Sequence, residues 1–147
     1  MDSLSAHQRS QNMRAIKSKD NLPELCVRSQ VHGLGFRYRL HRRDLPGRPD
    51  IVLGKLRTVI LVHGCFWHCH TCADGHVPKS RRDYWPNKLA GNLRRDRRNV
   101  RRLRSMGWRV LIIWECQTRD IERLRRRLLD FLKRARAAKA SAVHAAR

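Results

Sequence analysis

Ten consecutive residues, His63-Gly64-Cys65-Phe66-Trp67-His68-Cys69-His70-Thr71-Cys72, hold three histidines and three cysteines. Packing and chance account for isolated residues of these types, not for this density. Thiolate sulfur and imidazole nitrogen are the donors Zn²⁺ prefers, and a structural zinc site closes four of them into a tetrahedron. Cys116 ends an apolar run and is a natural fourth ligand, because a strand end is rigid and can face a loop. Six candidates compete inside the loop, so at least two remain for other work. The cysteines number five, Cys26 included, and Met1–Ser10 has no signal-peptide core, which argues for metal or core roles over disulfides.

A second constellation uses oxygen. Leu45-Pro46-Gly47-Arg48-Pro49-Asp50-Ile51-Val52 delivers a carboxylate to the start of a strand behind two prolines that stiffen its approach. Asp50 is either a turn residue or a Mg²⁺ ligand, since hard cations take carboxylate and carbonyl oxygens and share phosphate oxygens with a substrate. Beside a histidine-bearing strand in a very basic chain, the metal reading gains. Asp96 is the anomaly of its helix. Leu89, Leu93, Val100 and Leu103 form an apolar stripe, and Asp96 falls on that stripe amid Arg94, Arg95, Arg97 and Arg98. A carboxylate facing a core is costly unless partnered. The partner is either a nearby arginine or a catalytic histidine whose tautomer the carboxylate would hold. Phe66 and Trp67 in the ligand-rich loop, and Trp85 in an arginine-rich stretch, are aromatics available to wedge between base pairs. Trp108 and Trp114 belong to an apolar run and are expected in the core.

The elements that must position these residues follow from periodicity. Asn21-Leu22-Pro23-Glu24 reads as a helix start, with Asn21 as cap and Glu24 closing the capping box. That helix should turn Leu22, Leu25 and Cys26 inward and stop at Gly33 or Gly35. Phe36–His41 alternates as a half-exposed strand, Asp50–Leu53 is a short strand, and Leu56–Val62 is a β-branched run after a Gly54-Lys55 turn. A long helix is expected from Asp83 to Met106, ended by Gly107, then a buried strand over Trp108–Trp114. A last helix from Asp120 carries Ile121, Leu124, Leu128, Phe131 and Leu132. The order α-β-β-β-α-β-α implies an α/β fold, a mixed central sheet flanked by helices. Residues 1–20 read as a flexible basic arm, 21–136 as the single domain and 137–147 as a frayed basic tail.

Composition supplies the partner. The 147 residues carry 34 lysines and arginines against 12 acids, a formal charge of +22. Such an excess repels itself in a compact state, so a polyanion is expected. Arginine outnumbers lysine 27 to 7, which favours the planar fork that grips phosphates and base edges. No run of 18 apolar residues exists, so a membrane is not the expected polyanion.

Asn12-Met13-Arg14-Ala15-Ile16, Leu45 to Asp50, His63 to His68 and Gly107-Trp108-Arg109-Val110-Leu111 together resemble the very-short-patch mismatch-repair endonucleases, the Vsr family. The resemblance runs from about residue 10 to 135. It implies a restriction-endonuclease-like fold with a structural zinc, and a Mg²⁺-dependent nick 5′ of the thymine in a T·G mismatch left by deaminated 5-methylcytosine. On this likeness Asp50 binds Mg²⁺ with the backbone carbonyl of Val62. His68 is the general base, His63 contacts the scissile phosphate, Glu24 supports metal-bound water and Asp96 orients His68. Cys65, His70, Cys72 and Cys116 hold zinc; Phe66, Trp67 and Trp85 enter the base stack, with Met13 from the arm opposite. The implied partner is double-stranded DNA bearing a T·G mismatch, with mismatch-repair proteins left open. The implied setting is a monomer in a bacterial cytoplasm, on the nucleoid. Val62 replaces the family's usual threonine, which a backbone-carbonyl role tolerates. Cys69 and Thr71 stand where better-known members have histidines. The Pro-Asp…(Asp/Glu)-x-Lys signature of restriction enzymes is only half present, because Val62-His63-Gly64 brings no acid or lysine; a histidine suits the base role, which needs a pKa near neutral.

Two other functions compete: a non-catalytic zinc-containing DNA-binding module, and a restriction endonuclease acting on unmismatched sites. Asp50 with two histidines outside the zinc set favours an enzyme. The paired aromatics favour mismatch reading, since unstacking costs least at a weakened pair.

Overall fold

The computed structural model describes residue 5, residues 20–75, 79, 81 and 83–146. The arm over 1–20 lies almost wholly outside these residues, and so does Met13.

Helix α1 spans Leu22–Gly33. Asn21 caps it, its side-chain Oδ1 accepting the Glu24 N–H at 3.0 Å. Of the expected inward face only Cys26 packs against the core, and Leu22 and Leu25 are 81% and 43% exposed. Glu24, Val27 and Val31 face inward instead, a stripe whose valines fit the sheet and whose carboxylate finds cations there. The box also closes differently, with Glu24 Oε2 accepting from Asp20 N–H at 2.8 Å.

The sheet holds four strands in the order β1-β2-β3-β4. Strand β1 is only Arg39–Leu40, shorter than the alternation over 36–41 suggests. Phe36 leaves the pattern to pack into the core, and His41 takes a left-handed backbone that ends the strand. Strand β2, Ile51–Leu53, pairs antiparallel with β1 and with β3, Thr58–His63. Between them a single 3-10 turn at Gly54–Leu56 takes up the first residues of the expected third strand. Strand β4, Arg109–Trp114, lies parallel to β3 over six residues, from Thr58 opposite Arg109 to His63 opposite Trp114. Helix α2, Trp85–Ser105, makes the crossover between them.

Alternate strand residues pack to opposite sides, as a pleated sheet requires. Ile51, Leu53, Ile60, Leu111 and Ile113 meet Val27 and Val31 of α1 and Leu124, Leu128 and Leu132 of α3, which spans Ile121–Ala145. Val52 and Val59 meet Leu103 of α2, Leu45 and Trp108 on the other side. Trp108 is buried as expected, beneath the guanidinium of Arg57 at 5.0 Å. The tail expected to be frayed continues α3 as helix through Ala145, which its alanine-rich sequence favours. On the outer edge of β4, Arg127 of α3 donates to the Ile112 carbonyl at 3.2 Å. Among the described residues no helix is long and apolar enough to cross a membrane.

Candidate active site and metal cluster

Strands β2 and β3 bring their chemistry to one end of the sheet. Asp50 stands just before β2, and its Oδ2 accepts the Val62 N–H at 2.8 Å, extending the ladder by a side chain. His63, the last residue of β3, is buried. The chain then turns sharply, with His68 N–H donating to the Gly64 carbonyl at 3.2 Å, and lays the His68 ring on that of His63 at 3.9 Å and 8°. Asp96 of α2 holds His68 from the far side, Oδ2 to Nδ1 at 2.5 Å. The stripe anomaly thus finds a histidine and not an arginine. A carboxylate accepts only, so a neutral His68 carries its proton on Nδ1 and keeps the Nε2 lone pair free. These groups line a cleft of about 380 Å³ with His41, Arg43, Arg48 and Asn99. Gly47 shapes its rim: its φ of +75° suits glycine, and a Cβ there would meet Asn99 Nδ2 at 2.8 Å.

Burial sets the protonation of the cleft. It pushes the Asp50 carboxyl up to about 6, against the Val62 N–H, which lowers it, and with the charge of Glu24 adding to the rise. His63 is pushed down to about 4 by burial and by the neighbouring His68. Two parallel imidazoles in contact cannot share charge cheaply, so His63 stays neutral.

Glu24 is 1% exposed and sits in a cage the sequence reading missed. Its Oε1 takes Arg28 Nη2 at 2.6 Å and His41 Nε2 at 2.8 Å, and Arg28 also pairs with Asp20. Arg28 lies at the i+4 spacing where a helical ion pair is expected, so that signal was present. His41 closes the alternating stretch read as a strand, and a left-handed backbone there turns it to Glu24 instead.

The second cluster gathers Cys65, His70, Cys72 and Cys116, whose donor atoms all lie within 4.8 Å of one another. Ligands bonded to zinc in a tetrahedron stand about 3.8 Å apart, so this donor set fits that ion. Cys116 sits in the short 3-10 turn after β4 (residues 115–118), its N–H donating to Cys65 Sγ at 3.4 Å and its sulfur 3.6 Å from His70 Nδ1. Burial pushes the Cys65 thiol up to about 12, whereas the hydrogen bond from His70 draws Cys72 down to about 7. The thiolate is the metal-binding form, so Cys72 is ready and Cys65 would lose its proton on closure. Cys69 is turned away, φ +56°, its thiol directed to the Leu89 carbonyl at 3.6 Å. Gly75 closes the loop so tightly that a Cβ would fall 1.9 Å from the His70 carbonyl oxygen.

Phe66, Trp67 and Trp85 come together edge to face, with ring centroids 5.0 to 6.0 Å apart at the start of α2. All three remain partly exposed. Asn92 ties the group to the helix by donating to the Trp67 carbonyl at 3.1 Å. Trp114, expected in the core, belongs to neither apolar cluster and stands beside the histidines instead.

The family profile described as DNA mismatch endonuclease Vsr matches residues 1–74. The type II nicking enzyme V.XorIIP of Xanthomonas oryzae pv. oryzae is 48% identical over 131 residues, covering 89% of this chain and 96% of that protein. The DNA mismatch endonuclease Vsr of Escherichia coli is 47% identical over 116 residues, covering 79% and 74%. Among solved structures, the homing endonuclease I-Bth0305I catalytic domain shares the fold, with a TM-score of 0.57 at 21% identity over 79% of this chain and 98% of that domain. The chain belongs to the Vsr family of DNA mismatch endonucleases, and its two side-chain clusters sit within an endonuclease.

Proposed function

We propose that the protein nicks one strand of duplex DNA 5′ of the thymine in a T·G mismatch, using the cleft of Asp50, His63, His68 and Asp96. The observation that carries this reading is the His68–Asp96 pair stacked on His63 in the same cleft as Asp50. Mg²⁺, taken by the Asp50 carboxylate and the Val62 carbonyl, would supply charge to the phosphate and the leaving oxygen. The chain's own residues do the rest. His68 Nε2 takes the proton of the attacking water, and Asp96 steadies the imidazolium that results. His63, neutral and buried, donates to a phosphate oxygen without adding charge beside His68. Glu24 is a further acceptor near Asp50. Cys65, His70, Cys72 and Cys116 would hold Zn²⁺, which would fasten the loop that carries His68. Phe66, Trp67 and Trp85 wedge into the stack beside the mismatch. The nicking relatives support a single-strand cut. A chromosomal substrate agrees with a place on the nucleoid in the cytoplasm.

Single-turnover cleavage with Mg²⁺ on T·G-containing and fully paired duplexes tests it. One nick beside the mismatch is expected, lost in Asp50→Ala with mismatch binding retained. Equal cutting of paired DNA would return the chain to the restriction reading. Near-wild-type rates for Asp50→Ala would take the chemistry away from this cleft.

A further inference from the structure

Trp114 plays no part in the chemistry above, yet it stands between the two clusters. It is the last residue of β4, in register with His63 at the end of β3. Its ring stacks on His70 at 4.3 Å and 24°, and meets His63 edge-on at 5.3 Å and 76°. His63 in turn lies flat on His68. Four rings, His70, Trp114, His63 and His68, therefore connect the Cys/His cluster to the imidazole held by Asp96, with Trp114 also meeting His68 edge-on at 6.5 Å and 68°.

Both ends of the series are pinned. His70 is fixed by its N–H to the Cys65 carbonyl at 3.0 Å and by the contact with Cys116. His68 is fixed by Asp96. The indole in the middle is held through its backbone, whose N–H donates to Gln117 Oε1 at 3.0 Å. The next two residues tie the same strand end to the cluster, Glu115 accepting from the Cys65 N–H and Cys116 donating to its sulfur. Core packing does not explain this placement, because Trp114 is only partly buried and joins neither apolar cluster. A flat ring stacked on one neighbour and edge-on to another restricts rotation of both.

We propose that Trp114 is a positioning residue, a rigid spacer through which closure of the Cys/His cluster sets the plane of the His63 and His68 rings. The proposal rests on the reading of those histidines as catalytic. Rings in direct contact pass orientation along because each restricts its neighbour's rotation.

The test compares Trp114→Phe with Trp114→Leu, each loaded with zinc. Four quantities are measured: zinc content, affinity for a T·G duplex, single-turnover nicking at saturating enzyme, and linewidths of the histidine side-chain signals in NMR. The leucine variant should keep its zinc and its affinity. Its rate should fall roughly 10²-fold, the scale on which a small misplacement of reacting groups is felt. Its His63 and His68 signals should broaden as the rings gain freedom. The phenylalanine variant, which keeps a flat ring, should recover most of the rate and the sharp signals. A leucine variant with wild-type rate and linewidths would overturn the proposal. So would loss of zinc or folding in that variant, which would make Trp114 a prop of the metal loop. A phenylalanine variant as slow as the leucine one would also overturn it, because a flat ring in that place would then not be enough. His68→Ala separates the two claims: wild-type nicking there removes the catalytic reading, while the linewidths still decide whether Trp114 orients the rings.

Discussion

Asp50 has to be ionised to hold Mg²⁺ in the cleft, and burial opposes that ionisation. With a folded value of about 6 against an ordinary 3.8, Asp50 contributes stability that is complete below the unfolded value and lost as pH rises through the folded one. At pH 7 without added Mg²⁺ the chain therefore carries a desolvated charge that weakens it. Asp50→Asn should raise Tm at pH 7 and leave it nearly unchanged near pH 4, while abolishing nicking; calorimetry at both pH values checks this, and a lower Tm at pH 7 would contradict it. For the wild type, nicking should fall as pH drops through about 6, because a neutral carboxyl is a poor Mg²⁺ ligand. Asp96→Asn keeps the position but not the charge, so its loss in rate should be smaller than the roughly 10²–10⁴-fold of His68→Ala. The residue scale was the most legible in the sequence. Asp96 betrayed itself as a charge on an apolar stripe, and the density of Cys and His marked the loop. The cage of Glu24 was half legible, through the i+4 spacing of Arg28. Its other half, His41, read as the end of a strand, and the left-handed backbone that turns it to Glu24 leaves no mark in the sequence.

Among the elements, the loop over 64–75 is the one whose backbone leaves least room. Gly75→Ala would drive a Cβ into the His70 carbonyl, so the loop must open at the cluster. The variant should bind zinc more weakly and melt earlier, as metal analysis and a thermal melt would show. Gly33→Ala, which meets nothing within 4 Å, is the control and should change neither. In α3, Leu128 is fully buried in the core shared by α1, α3 and the sheet, and Leu128→Ala should cost about 2–5 kcal/mol in a denaturant titration. Element existence and order were readable because the long helices keep a clear period. The inward face of α1 was legible only at Cys26, since leucines at 22 and 25 are as apolar as the valines at 27 and 31. What decided it was a tertiary need, the burial of Glu24 beside Arg28 and His41. Strand β1 shrank for a similar reason, its first aromatic being taken by the core.

At the scale of the whole molecule, +22 spread over 147 residues makes association with DNA a matter of counterions as much as of shape. Affinity for a fully paired duplex should fall steeply with salt, with a log–log slope of several units. Replacing Phe66 and Trp67 together with alanine should leave that slope in place and erase the preference for T·G, because phosphate contacts position and the wedge discriminates. An equal loss on both duplexes would make the aromatics packing residues. The same charge bears on how copies of the chain meet one another. Strand β4 is the outer strand of the sheet, six residues long and rich in isoleucine, leucine and valine. Bare edges of that kind invite a neighbour's strand and seed insoluble fibres. Here the guanidinium of Arg127 occupies the Ile112 carbonyl, a place where another chain would otherwise bond. With that carbonyl taken, the edge offers a neighbour one bond fewer; Arg127→Ala should raise light scattering of concentrated protein in high salt, where mutual repulsion no longer keeps copies apart.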